Sequence, residues 1–231
     1  DISEHFDDLE NLSSWRYTHH GENRWVVGPA VNNTRNLDGS FTQGNALYIS
    51  NDGGLTNSYN YSAGSVSHFS TLIEILDSVY YGISFDYKLV GQNYADNLSV
   101  YLVPVYTELT SSTFGFTAIG TINNSTNTWR RFEAEIPQSV TPGIYQLVFT
   151  WQNNNYMGEN PPAAIDNLKV QASTCAIPEE FSGTITDVDG NASMAVTIND
   201  TINQAASYIV EYRLAGETIW DTIQEESPIL L

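Results

Sequence analysis

A two-residue hydrophobic period constrains this chain more than any other feature. Tyr81, Ile83, Phe85, Tyr87 and Leu89 alternate with small or polar neighbours, as do Leu98, Val100 and Leu102, and later Tyr145, Leu147, Phe149 and Trp151. Successive side chains of a strand point to opposite faces, so this alternation predicts strands with one face on a core. The same reading covers 46–50, 66–76, 114–122, 128–136 and 163–171. Turn-forming runs separate these stretches: Asn51-Asp52-Gly53-Gly54, Gly91-Gln92-Asn93, Asn123-Asn124-Ser125 and Pro142-Gly143. No segment carries Leu, Ala, Glu and Lys at helical spacing. About nine short strands without intervening helices predict an all-β chain, built as an antiparallel jelly-roll β-sandwich.

The pattern changes after Val170. Residues 172–178 read as a linker running into a first strand, and further strands are predicted at 193–199, 208–214 and 218–224. A complete immunoglobulin-like sandwich takes about seven strands and ~100 residues. The stretch after 178 is too short for that, so an incomplete immunoglobulin-like β-domain is expected over 179–231.

Charge narrows the partners. Eight basic residues stand against 27 acidic ones, a net charge of −19. Nucleic acid and anionic membranes are therefore poor partners, and none is expected, because binding them needs a basic patch. An acidic surface instead keeps a chain soluble and attracts hard cations such as calcium. With Cys175 as its one cysteine, the chain has neither a disulfide framework nor a cysteine zinc site. No stretch approaches the ~20 apolar residues of a membrane span, so no membrane insertion is expected.

Catalytic constellations are poorly supported. Glu74 and Asp77 lie three residues apart, which places them on opposite faces of a strand, whereas a jelly-roll glycosidase needs its carboxylates on one face. No Gly-x-Ser-x-Gly elbow is present. His19-His20 lacks metal-site spacing and is expected in an exposed loop. Asp187, Asp189 and Asn191 resemble part of a calcium loop, but Ile198 stands where the loop's last glutamate belongs, and an ordinary turn is expected there. We therefore expect a non-enzymatic chain.

Aromatic residues make up 12% of the sequence, with 14 Tyr and five Trp. Trp15, Trp25, Trp129 and Trp151 are expected in the core. Tyr59 and Tyr61, Tyr94, and Asn155 with Tyr156 fall in loops rich in Asn and Gln. Such loops could stack sugar rings and hydrogen-bond their hydroxyls. Asp96, at the start of a strand, could join that ligand face or serve as an edge charge.

Several blocks, taken in order, resemble a known family. Phe6-Asp7-Asp8-Leu9-Glu10 with Trp15 and Trp25-Val26-Val27-Gly28 opens the series. Next come Gly44-Asn45-Ala46-Leu47-Tyr48-Ile49-Ser50 and Ser84-Phe85-Asp86-Tyr87-Lys88, then Trp129 with Arg130-Arg131-Phe132. Ala164-Ile165-Asp166-Asn167-Leu168-Lys169-Val170 closes it. Together they resemble the MAM-like, cleaved-adhesin or choice-of-anchor jelly rolls of Bacteroidetes surface proteins and span residues 1–171. Residues 179–231, with Tyr208-Ile209-Val210-Glu211-Tyr212-Arg213, resemble part of a fibronectin type III domain.

The resemblance implies a secreted or cell-surface protein, exported by the type IX route. It also implies adhesion, or binding of an extracellular glycan or protein, alongside further domains of the same polypeptide. The competing expectation is a structural spacer or accessory domain of a secreted peptidase or hydrolase, with no ligand of its own. Asp77-Ser78-Val79, Asp200-Thr201-Ile202 and Asp221-Thr222-Ile223 match the short O-glycosylation pattern of the same bacteria. A structural calcium is implied as well, held by Asp7, Asp8, Gly44, Asn45 and Asp166, since the first and last strands of a jelly roll lie side by side. Solvated acids at Asp7 and Asp8, with Asp166 capping a turn, are the alternative.

Overall fold

The computed structural model describes residues 1–31, 44–92, 95–173, 180–188, 191–199, 207–212, 221–225 and 229–230. The chain forms two compact units, Asp1–Ser173 and Thr174–Leu231. Among the described residues both are β-structure, with one 3-10 turn at Asn11–Ser14.

In the first unit the strands are β1 (Ile2–Glu4), β2 (Arg16–His20), β3 (Arg24–Gly28), β4 (Ala46–Ser50), β5 (Ser65–Ile75) and β6 (Tyr80–Leu89), followed by β7 (Asn97–Pro104), β8 (Thr117–Ile122), β9 (Thr126–Glu135), β10 (Gly143–Asn153) and β11 (Ala164–Ser173). All their pairings are antiparallel. One sheet has the order β3-β4-β11-β6-β9, with β1 also on β11, and the other has the order β2-β5-β10-β7-β8. Non-sequential neighbours in both sheets make this the expected jelly-roll sandwich.

The two-residue period is what buries the core. Ile83, Phe85, Tyr87 and Leu89 on β6 share the interior with Leu98, Val100 and Leu102 on β7, and with Leu147, Phe149 and Trp151 on β10. Phe85 meets Phe149 edge-on at 5.5 Å, and Trp15 stacks on Phe69 at 4.4 Å, both within the range of favourable ring pairs. Trp25 donates its indole N–H to the Ser67 carbonyl at 2.9 Å, so its one polar atom is satisfied inside.

Three expectations are corrected. Trp129 is half-buried outside the sandwich interior, where it packs against the small cluster of Val31, Ala46, Tyr48 and Ala164. His19 and His20 belong to β2 and are partly buried, because the strand pairs with β5 from Arg16–Ser70 to His20–Val66. Residues 114–116 precede β8 instead of belonging to it.

They end a strap, residues 105–116, that crosses the outer face of the second sheet. Leu109 of the strap packs with Val103 and Val148 of that face. His20 Nε2 donates to the Leu109 carbonyl at 2.9 Å, and Gln146 Nε2 donates to the Thr107 carbonyl at 2.8 Å. Buried His68 donates from Nε2 to the Thr110 carbonyl at 2.7 Å, so its Nδ1, 2.8 Å from Thr150 Oγ1, accepts the threonine proton. Burial, together with the nearby His20, holds the His68 pKa below the usual histidine value of 6.5. A depressed folded-state pKa means stability is intact above the unfolded pKa of about 6.5 and is lost as pH falls through the folded value. We expect the urea midpoint to fall between about pH 7 and pH 5. His68→Gln, which keeps a donor and an acceptor without titrating, should remove part of that slope, and an identical slope in the variant would refute the assignment.

The second unit contains β12 (Glu180–Val188), β13 (Asn191–Asn199), β14 (Tyr208–Tyr212), β15 (Asp221–Glu225) and β16 (Ile229–Leu230). They form a three-stranded sheet, β12-β13-β16, and a β14-β15 pair. Val196 and Val210 are buried, with Met194, Ile198, Tyr208 and Ile223 packed around them. Val188 pairs with Asn191, and Asp189 between them lies outside the described residues. Cys175 and Trp220 lie outside the described residues.

Candidate functional site

From β2 to β11 every antiparallel pair joins an odd-numbered to an even-numbered strand, so the connections β2–β3, β4–β5, β6–β7, β8–β9 and β10–β11 gather at one end of the sandwich. Buried amides and one buried carboxylate tie these loops together. Asn23 is completely buried; its Nδ2 lies within hydrogen-bonding distance of the Asn60 and Ala63 carbonyls and of Asn153 Oδ1, and its Oδ1 accepts from the Asn60 N–H at 2.8 Å. Asn153 Oδ1 also accepts from the Trp151 indole at 3.1 Å. The asparagine-rich loops thus supply the partners that their own buried backbone groups need.

Asp96 is the hub. Its side chain has 0% exposure and accepts from Tyr59 Oη at 2.5 Å, the Gln92 N–H at 2.8 Å and the Asn154 N–H at 3.3 Å. Tyr59 is 3% exposed, packs edge-on against Trp151 at 5.4 Å and takes the Asn160 side-chain oxygen on its N–H at 2.9 Å. Burial, then the Asp96 carboxylate, pushes the Tyr59 phenol strongly upward, so it stays a donor at any physiological pH. Two glycines permit the packing. Gly91 has φ +51 beside Asp96, and Gly158 lies so close to the Tyr59 hydroxyl that a Cβ has no room.

The expected ligand residues therefore divide. Tyr59 and Asp96 are buried, and neither is an exposed ligand contact; they pin the loops instead. Tyr156 (80% exposed), Tyr61 (43%) and Asn155 face solvent on that scaffold. Tyr94 lies outside the described residues. Beside the exposed rings is a groove of about 370 Å³ lined by Gly91, Gln92, Ser125, Met157, Gly158 and Glu159. Gln92 Oε1 accepts from Asn154 Nδ2 at 2.8 Å, which orients its amide. The groove offers an apolar wall at Met157, an acceptor at Glu159 and an amide at Gln92. The sequence places all three in the loops with a sugar-binding look, though not among the expected contact residues. Sequence reasoning passed over Tyr106 and Phe114, two exposed rings on the strap.

The carboxylates proposed for calcium lie on the first sheet. β1 pairs with β11 from Ile2–Val170 to Glu4–Leu168, and β4 pairs with the same strand at Ala164–Ile165. Asp166 and Asn167 occupy the bulge between these two partners, with Asn167 at φ +51. His5 Nδ1 lies 2.8 Å from Asn167 Oδ1, continuing the line of the ladder. Phe6, fully buried at φ +60, then turns the chain. Asp7 beyond it accepts the Asn45 N–H at 2.6 Å and lies against Gly44. Asp166 accepts the Asn167 N–H at 2.7 Å, whereas Asp8 is turned to the Glu10 N–H at 3.0 Å. The fold thus joins Asp7 to the Gly44–Asn45 turn and gives Asp8 a local turn of its own. No group of three or more His, Cys, Asp or Glu side chains gathers in metal-binding fashion among the described residues. A cation here would need carbonyl and amide oxygens beside its carboxylates, a donor set that suits calcium.

No family model and no curated protein matches this chain. Solved structures do show similarity. The K1 cleaved adhesin domain of Lys-gingipain from Porphyromonas gingivalis W83 is 13% identical over 74% of this chain and 96% of that one, with a TM-score of 0.44. TmCBM61, solved in complex with β-1,4-galactotriose, is 13% identical over 74% of this chain and 100% of that one, with a TM-score of 0.41. The enzymatically active domain of tailspike protein 4 from bacteriophage CBA120 is 15% identical over 71% of this chain, with a TM-score of 0.42. This chain spans 20% of that protein's length.

Proposed function

We propose that this chain is a non-catalytic extracellular binding module, whose first unit engages a glycan or protein ligand at the loop end. One observation carries the reading: exposed Tyr156, Tyr61 and Met157 stand beside an amide- and carboxylate-lined groove, on loops fixed from beneath by buried Asp96. Rigid aromatic rings beside oriented polar groups suit a sugar's C–H faces and hydroxyls, and preorganisation lowers the entropic cost of binding. A fibronectin type III-like second unit and a secreted or cell-surface location complete the proposal.

A glycan array probed with the whole chain tests it. We expect a defined set of bound glycans, and Tyr156→Ala should weaken binding several-fold, in line with about 0.5–1.5 kcal/mol for a ring contact. Tyr156 is mostly exposed, so the variant should keep its urea midpoint. Absence of any bound glycan or protein, or undiminished binding by the variant, would overturn the reading and leave a spacer.

We also propose that calcium stabilises the first unit through Asp7, Asp166 and the oxygens of Gly44 and Asn45. An ion bound only by the folded state raises its stability by mass action. Millimolar calcium should raise Tm by several degrees, reversibly with EDTA, and Asp7→Asn should abolish most of that response. A Tm indifferent to calcium and EDTA would remove the ion from the account.

A further inference from the structure

We infer that the loop-end groove selects its ligand by charge: it takes uncharged glycans and refuses those that carry a carboxylate or a sulfate, with Glu159 as the discriminating residue. The selection rests on the glycan binding proposed above and narrows it to one class of glycan.

The five connections that meet at this end are residues 21–23, 51–64, 90–96, 123–125 and 154–163. None of them contains Lys, Arg or His, while together they carry Glu22, Asp52, Asp96 and Glu159. The basic residues on adjoining strand ends serve elsewhere. Arg24 lines a separate recess with Glu22 and Asn51. Lys88 holds its ammonium 4.6 Å from the centre of the Trp129 ring and does not line the groove.

Within the groove, Glu159 is the one charged residue of the lining among the described residues, and it is exposed. A second carboxylate stands just behind the wall. Gly91 lines the groove, and a Cβ there would come within 3.3 Å of Asp96 Oδ2. Asp96 is held by a tyrosine hydroxyl and two backbone N–H groups, all neutral, and pairs with no cation among the described residues. Besides burial, the charges of Asp96 and then Glu159 push the pKa of the Tyr59 phenol upward, and that hydroxyl lies against Gly158 of the lining.

Sugar hydroxyls suit such a lining. They donate to the Glu159 carboxylate in charge-assisted bonds, while the Gln92 amide and Ser125 hydroxyl can both give and accept. A ligand carboxylate or sulfate brings acceptors and a like charge instead. Beside a protein surface that repulsion is several times stronger than in open water.

The test uses an array of neutral oligosaccharides, each printed beside an acidic counterpart, such as lactose with its sulfate ester and cellotriose with its uronic-acid form. For every core that the whole chain binds, we expect the neutral member to be held at least ~10-fold more tightly, with the gap narrowing as salt rises. Glu159→Gln should weaken the neutral member a few-fold and strengthen the acidic one, closing most of the gap, with an unchanged urea midpoint. Tyr156→Ala should weaken neutral binding and leave the preference in place. Equal binding of the two members, or a gap that Glu159→Gln leaves intact, would overturn the selection while glycan binding stands. Binding to no member of any pair would remove glycan binding itself, and the selection with it.

Discussion

Asp96→Ala should destabilise the first unit by about 3–5 kcal/mol, measured as a lowered urea midpoint, because it leaves buried donors without an acceptor. Those donors are the Tyr59 hydroxyl and the Gln92 and Asn154 N–H groups. Each unsatisfied buried group costs about 1–3 kcal/mol, and a water filling the vacated space recovers part of it. Asp96→Asn keeps one acceptor oxygen and should lose about half as much. Tyr59→Phe removes one partner and should cost about 1–2 kcal/mol. A loss below about 1 kcal/mol for Asp96→Ala would show that the loops hold together without their central carboxylate. The alanine variant should also lose ligand binding beyond its loss of stability, since Gln92, which lines the groove, and Asn154, which holds its amide, would no longer be fixed.

Trp151→Ala should cost a similar amount, about 3–5 kcal/mol, by a different route. Trp151 is fully buried on β10 and supports Tyr59 at the point where the sandwich core meets the loop end. Its removal opens a cavity and leaves Asn153 Oδ1 without one of its donors. A double-mutant cycle between Trp151 and Tyr59 should yield a coupling of about 0.5–1.5 kcal/mol, the value for an edge-on ring pair. Additive losses would mean that core and loops are energetically separate. In that case the loop end would not inherit its rigidity from the sandwich.

The sandwich was legible because each long strand rests one face on a common core; β6 alternates cleanly in burial, whereas β5, β7 and β10 are covered on their outer faces as well over part of their length. Where the neighbour is not the core, the pattern misleads. β2 reads Arg-Tyr-Thr-His-His, with polar residues at nearly every position, because its outer face lies under the strap and its partners there are carbonyls. Phe114 and Phe116 alternate like a strand, yet Phe116 packs on Tyr101 outside the sheet while Phe114 faces solvent. The loop end was legible only in part. Its aromatic and amide content pointed to the region, but whether a ring is exposed depends on contacts between distant residues. Tyr59 and Asp96 are 37 positions apart, and Asn23 and Asn153 are 130 apart. Neither sequence neighbourhood distinguishes the buried Tyr59 from the exposed Tyr156. Lys88 and Trp129 were similarly hidden, since they meet across β6 and β9 only through the register of that pair.

The pairing of β1 with β11 has a mechanical consequence. Ile2 lies opposite Val170, and the Ala172 N–H donates to the Asp1 side chain at 2.8 Å, so the two ends of the first unit leave from the same corner. Tension between them loads this antiparallel ladder in a peeling direction, where hydrogen bonds open one after another instead of sharing the force. β11 remains held by β6 along its other edge, so β1 is the strand that comes away. With it goes Asp7, and with Asp7 the contact to the Asn45 turn. A gentle pull between the two ends of this unit would therefore loosen this corner long before it reached the core.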